Sequence, residues 1–365
     1  MSAARGTPGE GRRALLRAGV PACGWATMLL LAGLACQHKA PRDELALPRL
    51  VWPPPPAPPR IEHIGSFREP SDLGIRRNWL SRLFTALAGT RRPTAMVRPY
   101  GIAVTPEGRI AVADPGARCV HLYDPGRPRY RRVRSAANQR LVSPVGVAID
   151  PRGRIYVADS FRRAIFRYGP KGEWLDTLGE EEGLVRPTGL AFEPVRGILY
   201  VVDTGGHRVL GFDAEGNRVL EFGRRGSGPG EFNYPAAIAV GPSGDLYVTD
   251  SMNFRVQVLD PGGRFLGSFG GPGDGPGDFD KAKGIALDAD GHIYVVEGLH
   301  DVIHVYDGGG RLLTVLGGTG SGRGRFWLPT AITIDGAGRI LISDSANRRV
   351  QILRYLGEPG GRSEG

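Results

Sequence analysis

From residue 99 onward, apolar side chains alternate with polar ones in short runs, each closed by a glycine-bearing turn, and the runs return in sets. The first run of a set reads Pro99-Tyr100-Gly101-Ile102-Ala103, and its counterparts open at Pro144, Pro187, Pro235, Ala282 and Pro329. The second run ends in an acid: Asp114, Asp159, Asp203, Asp250, Glu297 and Asp344. A third, such as Val256-Gln257-Val258-Leu259, leads through a turn to a fourth of the form apolar-x-x-apolar-Gly, as in Leu175 to Gly179, Leu266 to Gly270 and Leu313 to Gly317. Alternation with period two marks strands with one buried face. A unit returning every roughly 45 residues marks a propeller or solenoid. The reading is all-β: a six-bladed β-propeller of four-stranded antiparallel blades.

The sixth set is short of a fourth run, because too few residues follow Leu353. The missing strand lies at the other end of the domain, where Ile61-x-x-Ile64-Gly65 repeats the fourth-run pattern. Residues 60–67 are therefore expected to close the ring, with Ile61 and Ile64 buried, which removes an open sheet edge. The propeller then spans 60–357, and 358–365 form a flexible tail. Between closing strand and first blade, residues 71–89 predict a helical insertion. Ser71 or Asp72 would cap it, and Trp79, Leu83 and Leu87 share one face. Such a helix packs over one end of the propeller or lies on a membrane surface.

Composition adds little inside the repeats and more before them. The 365 residues include 56 Gly and 30 Pro, yet 41% are hydrophobic, which excludes a disordered or collagen-like chain. Of the formal charge of +10, part belongs to Arg5, Arg12, Arg13 and Arg17, which precede an apolar run from Met28 to Ala35. A charged start followed by an apolar stretch too short to span a bilayer predicts an export signal over 1–36. Residues 37–59 hold Trp52-Pro53-Pro54-Pro55-Pro56-Ala57-Pro58-Pro59, expected as a semi-rigid polyproline tether. Of the cysteines, Cys23 and Cys36 fall in the signal, and Cys119 is left as a lone thiol with no disulfide partner and a buried role.

The repeat resembles the NHL repeat, most closely in Asp250-Ser251-Met252-Asn253-Phe254-Arg255-Val256-Gln257-Val258 and Asp344-Ser345-Ala346-Asn347-Arg348-Arg349-Val350-Gln351-Ile352. Gly33-Leu34-Ala35-Cys36 resembles the lipobox of bacterial lipoproteins, although Gly33 and Leu34 depart from its preferred residues. The alternative is an ordinary cleaved signal or an uncleaved anchor. Signal, tether and six blades together resemble bacterial NHL-repeat lipoproteins. That resemblance implies lipidation at Cys36, export and anchoring at the cell envelope, with Gln37 after the cysteine favouring the outer membrane.

Candidate chemistry is sparse. The loop Gly223 to Gly230 and its relatives at Gly270 to Gly277 and Gly317 to Gly324 lack the Gly-Lys-Ser/Thr and helix of a phosphate loop, and read as blade connectors. The acids closing the second strands could ring a channel-bound metal, but Arg208, Arg255 and Arg349 stand five residues after three of them, which points to scaffold. The position four after each acid changes from blade to blade: Arg118, Arg163, His207, Phe254, Asp301 and Arg348. Variable residues on exposed loops of one face are a candidate partner-binding surface, although drift explains them too. Six Arg between Arg127 and Arg140 add a basic edge.

The favoured function is a monomeric, non-enzymatic scaffold binding an envelope protein or glycan, held to the membrane through its lipid. No cofactor is predicted, although calcium or zinc is possible. The alternatives are a lactonase- or lyase-like propeller enzyme with a channel-bound divalent metal, and a nucleic-acid-binding propeller, which an exported protein does not favour. No catalytic set can be assigned from His121, His207, His292, His300 and His304, which occupy dissimilar repeat positions.

Overall fold

The computed structural model describes residues 48–75, 94–273 and 275–357. The six repeats become six antiparallel sheets. Blade one comprises Ile102–Val104, Ile110–Asp114, Cys119–Asp124 and Arg129–Val133; blade two, Pro144–Ile149, Ile155–Asp159, Ala164–Tyr168 and Trp174–Leu178. Blade three runs Pro187–Glu193, Ile198–Asp203, Arg208–Phe212 and Arg218–Phe222; blade four, Pro235–Val240, Leu246–Asp250, Arg255–Leu259 and Phe265–Phe269. Blade five is Ala282–Leu287, Ile293–Glu297, Val302–Tyr306 and Leu312–Gly317, and blade six begins Pro329–Ile334, Arg339–Asp344 and Arg349–Tyr355.

First strands line the central channel and fourth strands form the rim. All residues of the second strand are buried in blades one, two, four and five, whereas fourth strands expose alternate side chains such as Leu266 and Leu313. The core lies between neighbouring sheets: Tyr156 and Ile165 of blade two pack with Leu199, Val201 and Leu210 of blade three. Each side chain so buried contributes ~1.5–3 kcal/mol. The recurring glycine of the first run has a steric cause. A Cβ on Gly146 would lie 1.8 Å from the carbonyl oxygen of Thr188, so adjacent first strands meet there closer than a side chain allows.

The ring closes as the sequence predicts. Ile61–Phe67 pairs antiparallel with Arg349–Tyr355 and supplies blade six with its fourth strand. Ile61 is buried, but Ile64 is 39% exposed, contrary to expectation. The register shifts between His63 and Gly65, so this extra residue flips the alternation and turns Ile64 outward. His63 and Phe67 are buried with Ile61 instead.

Part of the predicted tether is strand. Val51–Trp52 pairs with Ile61 and Glu62 as a fifth, outermost strand of blade six, and Trp52 packs against the last interblade core. β-branched and aromatic side chains suit an edge strand, and the prolines from Pro53 onward end it because they cannot donate to a ladder. Pro70–Leu73 is a short 3-10 turn closed by Gly74 in the left-handed region. The rest of the predicted helical insertion, from 76 onward, lies outside the described residues, as do the predicted signal with Cys36 and the predicted tail 358–365.

Alternating strand direction gives the disc two unlike ends. Turns joining second to third strands share one end with the blade connectors, here the connector face. Turns joining first to second and third to fourth strands occupy the other, the hairpin face.

Candidate functional site

The glycine-rich segments are connectors, as their lack of a phosphate-loop signature implies. Phe232, Phe279 and Phe326 at their ends are fully buried. The channel they lead into encloses a cavity of about 340 Å³ lined by the first strands. Its lining is mainly glycine, alanine, threonine and branched aliphatics, with Lys283 and Tyr100 as its ionisable side chains. Burial, and next the charge of Lys281, hold the Lys283 ammonium below the usual lysine range, while burial raises the Tyr100 phenol. Neither carboxylate nor imidazole belongs to this lining.

The six acids that end the second strands are all fully buried. Each ties the incoming connector to its blade. Asp159 accepts hydrogen bonds from the amides of Val142 (2.7 Å) and Ser143 (3.0 Å), and Glu297 does the same for Asp280 and Lys281. Arg255 and Arg349 pair with Asp250 and Asp344 at 2.9 and 2.7 Å, and Arg208 lies 3.5 Å from Asp203. Such spent lone pairs are scaffold chemistry. For Asp114, burial opposes the charge, but hydrogen bonds from His121 and from the amides of Val97 and Ala117 outweigh it and hold the carboxyl below the usual range.

Around Asp114 stands a group that on paper resembles an activated thiol. His121 Nε2 lies 3.3 Å from Asp114 Oδ2 and 3.4 Å from Cys119 Sγ, and its Nδ1 is 2.8 Å from the Tyr130 hydroxyl. Cys119, Asp114 and His121 are fully buried. Burial, and next the Asp114 charge, push the thiol up to about 12, so no thiolate is present at neutral pH. His121 occupies the place of Gln257 and Gln351, which bond the corresponding acids.

The six variable turn residues share one backbone state. Arg118, Arg163, His207, Phe254, Asp301 and Arg348 all have left-handed φ, between 49 and 58°. This conformation costs a non-glycine residue roughly 1–2 kcal/mol. Their side chains divide into two groups. In blades three to five they turn inward: Asp301 accepts a hydrogen bond from the Leu328 amide at 2.7 Å, and His207 Nδ1 accepts one from the Tyr234 amide at 3.2 Å. Phe254 is half-buried and packs into the core between blades four and five. In blades six, one and two, neighbours around the ring, Arg348, Arg118 and Arg163 are exposed, and among the described residues none is ion-paired. Sequence reasoning gathered all six. It missed that three turn inward, two onto the next connector and Phe254 into the core, which follows only from their reach in a left-handed turn.

The connector face carries a second feature that the alternation pattern conceals. Val97, Phe161, Val185, Leu299, Trp327 and Leu328 lie on its turns and connectors and are exposed, Phe161 by 69% and Trp327 by 54%. Arg186 lies over the Tyr234 ring at 5.6 Å.

On the hairpin face, ligand atoms of Asp288, Asp290 and His292 lie within 4.8 Å of one another, a spacing that a divalent cation could bridge. The Asp288 oxygens are already engaged. Asp288 Oδ2 meets His292 Nδ1 at 2.9 Å and accepts from the Tyr294 hydroxyl at 3.0 Å, and its Oδ1 accepts the amides of Asp290 and His292. Blades two and six hold the same turn with Asp150–Arg154 and Asp335–Arg339 pairs, so His292 stands where those blades place an arginine.

Fold and faces define an all-β six-bladed propeller whose constant residues build the blades and whose varied ones lie on the turns. The NHL-repeat family profile matches residues 141–164 of blade two and 232–259 of blade four, so the chain is a propeller carrying NHL repeats. Among solved structures it is similar to a streptogramin B lyase, at 16% identity and TM-score 0.56 over 73% of this chain and 95% of that one. It is also similar to virginiamycin B lyase from Staphylococcus aureus, at 17% and 0.53 over 71% and 96%. A gluconolactonase from Xanthomonas campestris matches at 18% and 0.55 over 71% and 86%. At these identities the likeness is one of fold. No curated protein matches the sequence.

Proposed function

We propose that the protein is a docking scaffold that holds an acidic protein partner against its connector face, at the cell envelope to which Cys36 anchors it. The observation that carries this reading is the run of exposed Arg348, Arg118 and Arg163 on three consecutive blades, without an ion-pair partner among the described residues, alongside exposed Phe161, Trp327 and Leu328. Arginine beside large apolar side chains is the composition of energetically dominant interface patches.

The test is crosslinking of the tagged full chain in intact cells, followed by mass spectrometry of the membrane fraction. An envelope protein should be captured reproducibly and lost in Arg118→Glu/Arg163→Glu/Arg348→Glu. Capture that survives the triple variant would sink the reading. A metal-dependent hydrolase is the second reading, favoured by the spacing of Asp288, Asp290 and His292. A stoichiometric calcium or zinc ion in purified protein, absent from Asp290→Asn, would put it first.

A further inference from the structure

On the hairpin face, a cleft of about 580 Å³ lies between blades one and two. Leu122, Ile149 and Ile155 contribute apolar wall, and Arg109, Arg127, Arg129, Arg131 and Lys171 contribute five cations against the one carboxylate of Asp124. Two bridges span it. The Arg109 guanidinium lies over Gly153 of blade two, where an added Cβ would come within 2.7 Å of it. Arg131 donates to the carbonyl oxygen of Lys171 at 2.7 Å.

The charge excess arises from two independent departures from the repeat. In blades two and six the turn between first and second strands pairs its arginine with an aspartate, Arg154 with Asp150 and Arg339 with Asp335. Blade one has Thr105 at the aspartate position, whose hydroxyl accepts the Arg109 amide at 3.2 Å; Glu107 of the same turn feels the Arg109 charge but forms no salt bridge with it. In blades four and five the turn between third and fourth strands is internally neutral, through Asp260–Arg264 and Asp307–Arg311. Blade one has Pro128 at that arginine position, with arginines at 127 and 129 on either side, and Asp124 meets only the Arg127 amide, at 3.1 Å. Among the described residues Arg109, Arg127 and Arg129 have no ion-pair partner, and all three line the same cleft. Unpaired cations converging on a partly apolar concavity are the chemistry of an anion-binding pocket.

We propose that this cleft binds a small organic anion, a phosphate or carboxylate head on an apolar ring or chain. The head sits between Arg109 and the Arg127–Arg129 hairpin, and the body lies on Leu122 and Ile155. The site is on the opposite face from the docking surface and does not depend on it.

The test is calorimetric titration of the full chain with 1-naphthyl phosphate and with 1-naphthoate. Both should bind, whereas neutral 1-naphthol and inorganic phosphate should bind more weakly. Thr105→Asp, which reinstates the acid of the sister blades, and Arg127→Gln/Arg129→Gln should each weaken 1-naphthyl phosphate at least tenfold without changing the melting temperature. The double variant alters exposed side chains only, so it carries the test if Thr105→Asp fails to fold. Unchanged affinity in these variants, 1-naphthol binding as tightly as the anions, or no binding at all would overturn the proposal.

Discussion

A single buried carboxylate shows how much of each repeat is spent on construction. The oxygens of Asp344 accept the Trp327 amide, the Asn347 side chain, Arg349 Nε and Gln351 Nε2. Removing it would leave the nearly buried Arg349 uncompensated, so Asp344→Ala should cost about 3–5 kcal/mol in urea unfolding, and Asp344→Asn less. His304 sets a pH dependence. Burial, and next the His300 charge, lower it to about 4, whereas unfolded histidine titrates near 6.5. The unfolded chain therefore binds more protons between those values. The stability it contributes is complete above pH ~6.5 and is lost as pH falls towards 4. His304→Gln should flatten that slope in melts taken across the window. At the turn positions, arginine to glycine exchanges relieve the left-handed backbone while adding unfolded-state freedom, two effects that nearly cancel. Arg118→Gly/Arg163→Gly/Arg348→Gly should thus melt near wild type and still lose its partner.

At the level of elements, the strand that closes the ring matters most. Deleting residues 60–67 should lower the melting temperature sharply and leave blade six with an exposed edge; an unchanged melt would refute closure by this strand. Gly146→Ala should also destabilise strongly, since its Cβ meets Thr188 backbone, and a thermal melt reads this directly. Blade number, strand order and closure were legible in sequence because the opening motif, the terminal acids and the Ile61 pattern repeat with fixed spacing. Ile64 was not, because a one-residue bulge leaves no mark in a five-residue pattern. Nor was the strand at Val51–Trp52, which is too short for alternation to show beside a proline run. The cationic cleft was half visible: the arginines from 127 to 140 stood out, but the missing acid at Thr105 emerges only when turns of different blades are compared.

For the whole molecule, the two ends of the disc divide the work. The connector face joins strained turns to exposed arginine and aromatic side chains, while hairpin-face turns of blades two, four, five and six each hold an aspartate–arginine pair that blade one lacks. Binding to the first should therefore weaken with salt, yet less steeply than contacts made by charge alone, because apolar area is buried with it. The closing strand has a further consequence, for how the protein is made. His63 meets Gln351 across 288 residues of chain, so the closing strand, made early, waits for the last strand before the two can pair. Blades one to five can assemble in order behind it, but the ring stays open for the whole of synthesis. A chain cut short after Asp344 leaves residues 61–67 without their blade-six partner, and quality control meets an open ring with a bare edge.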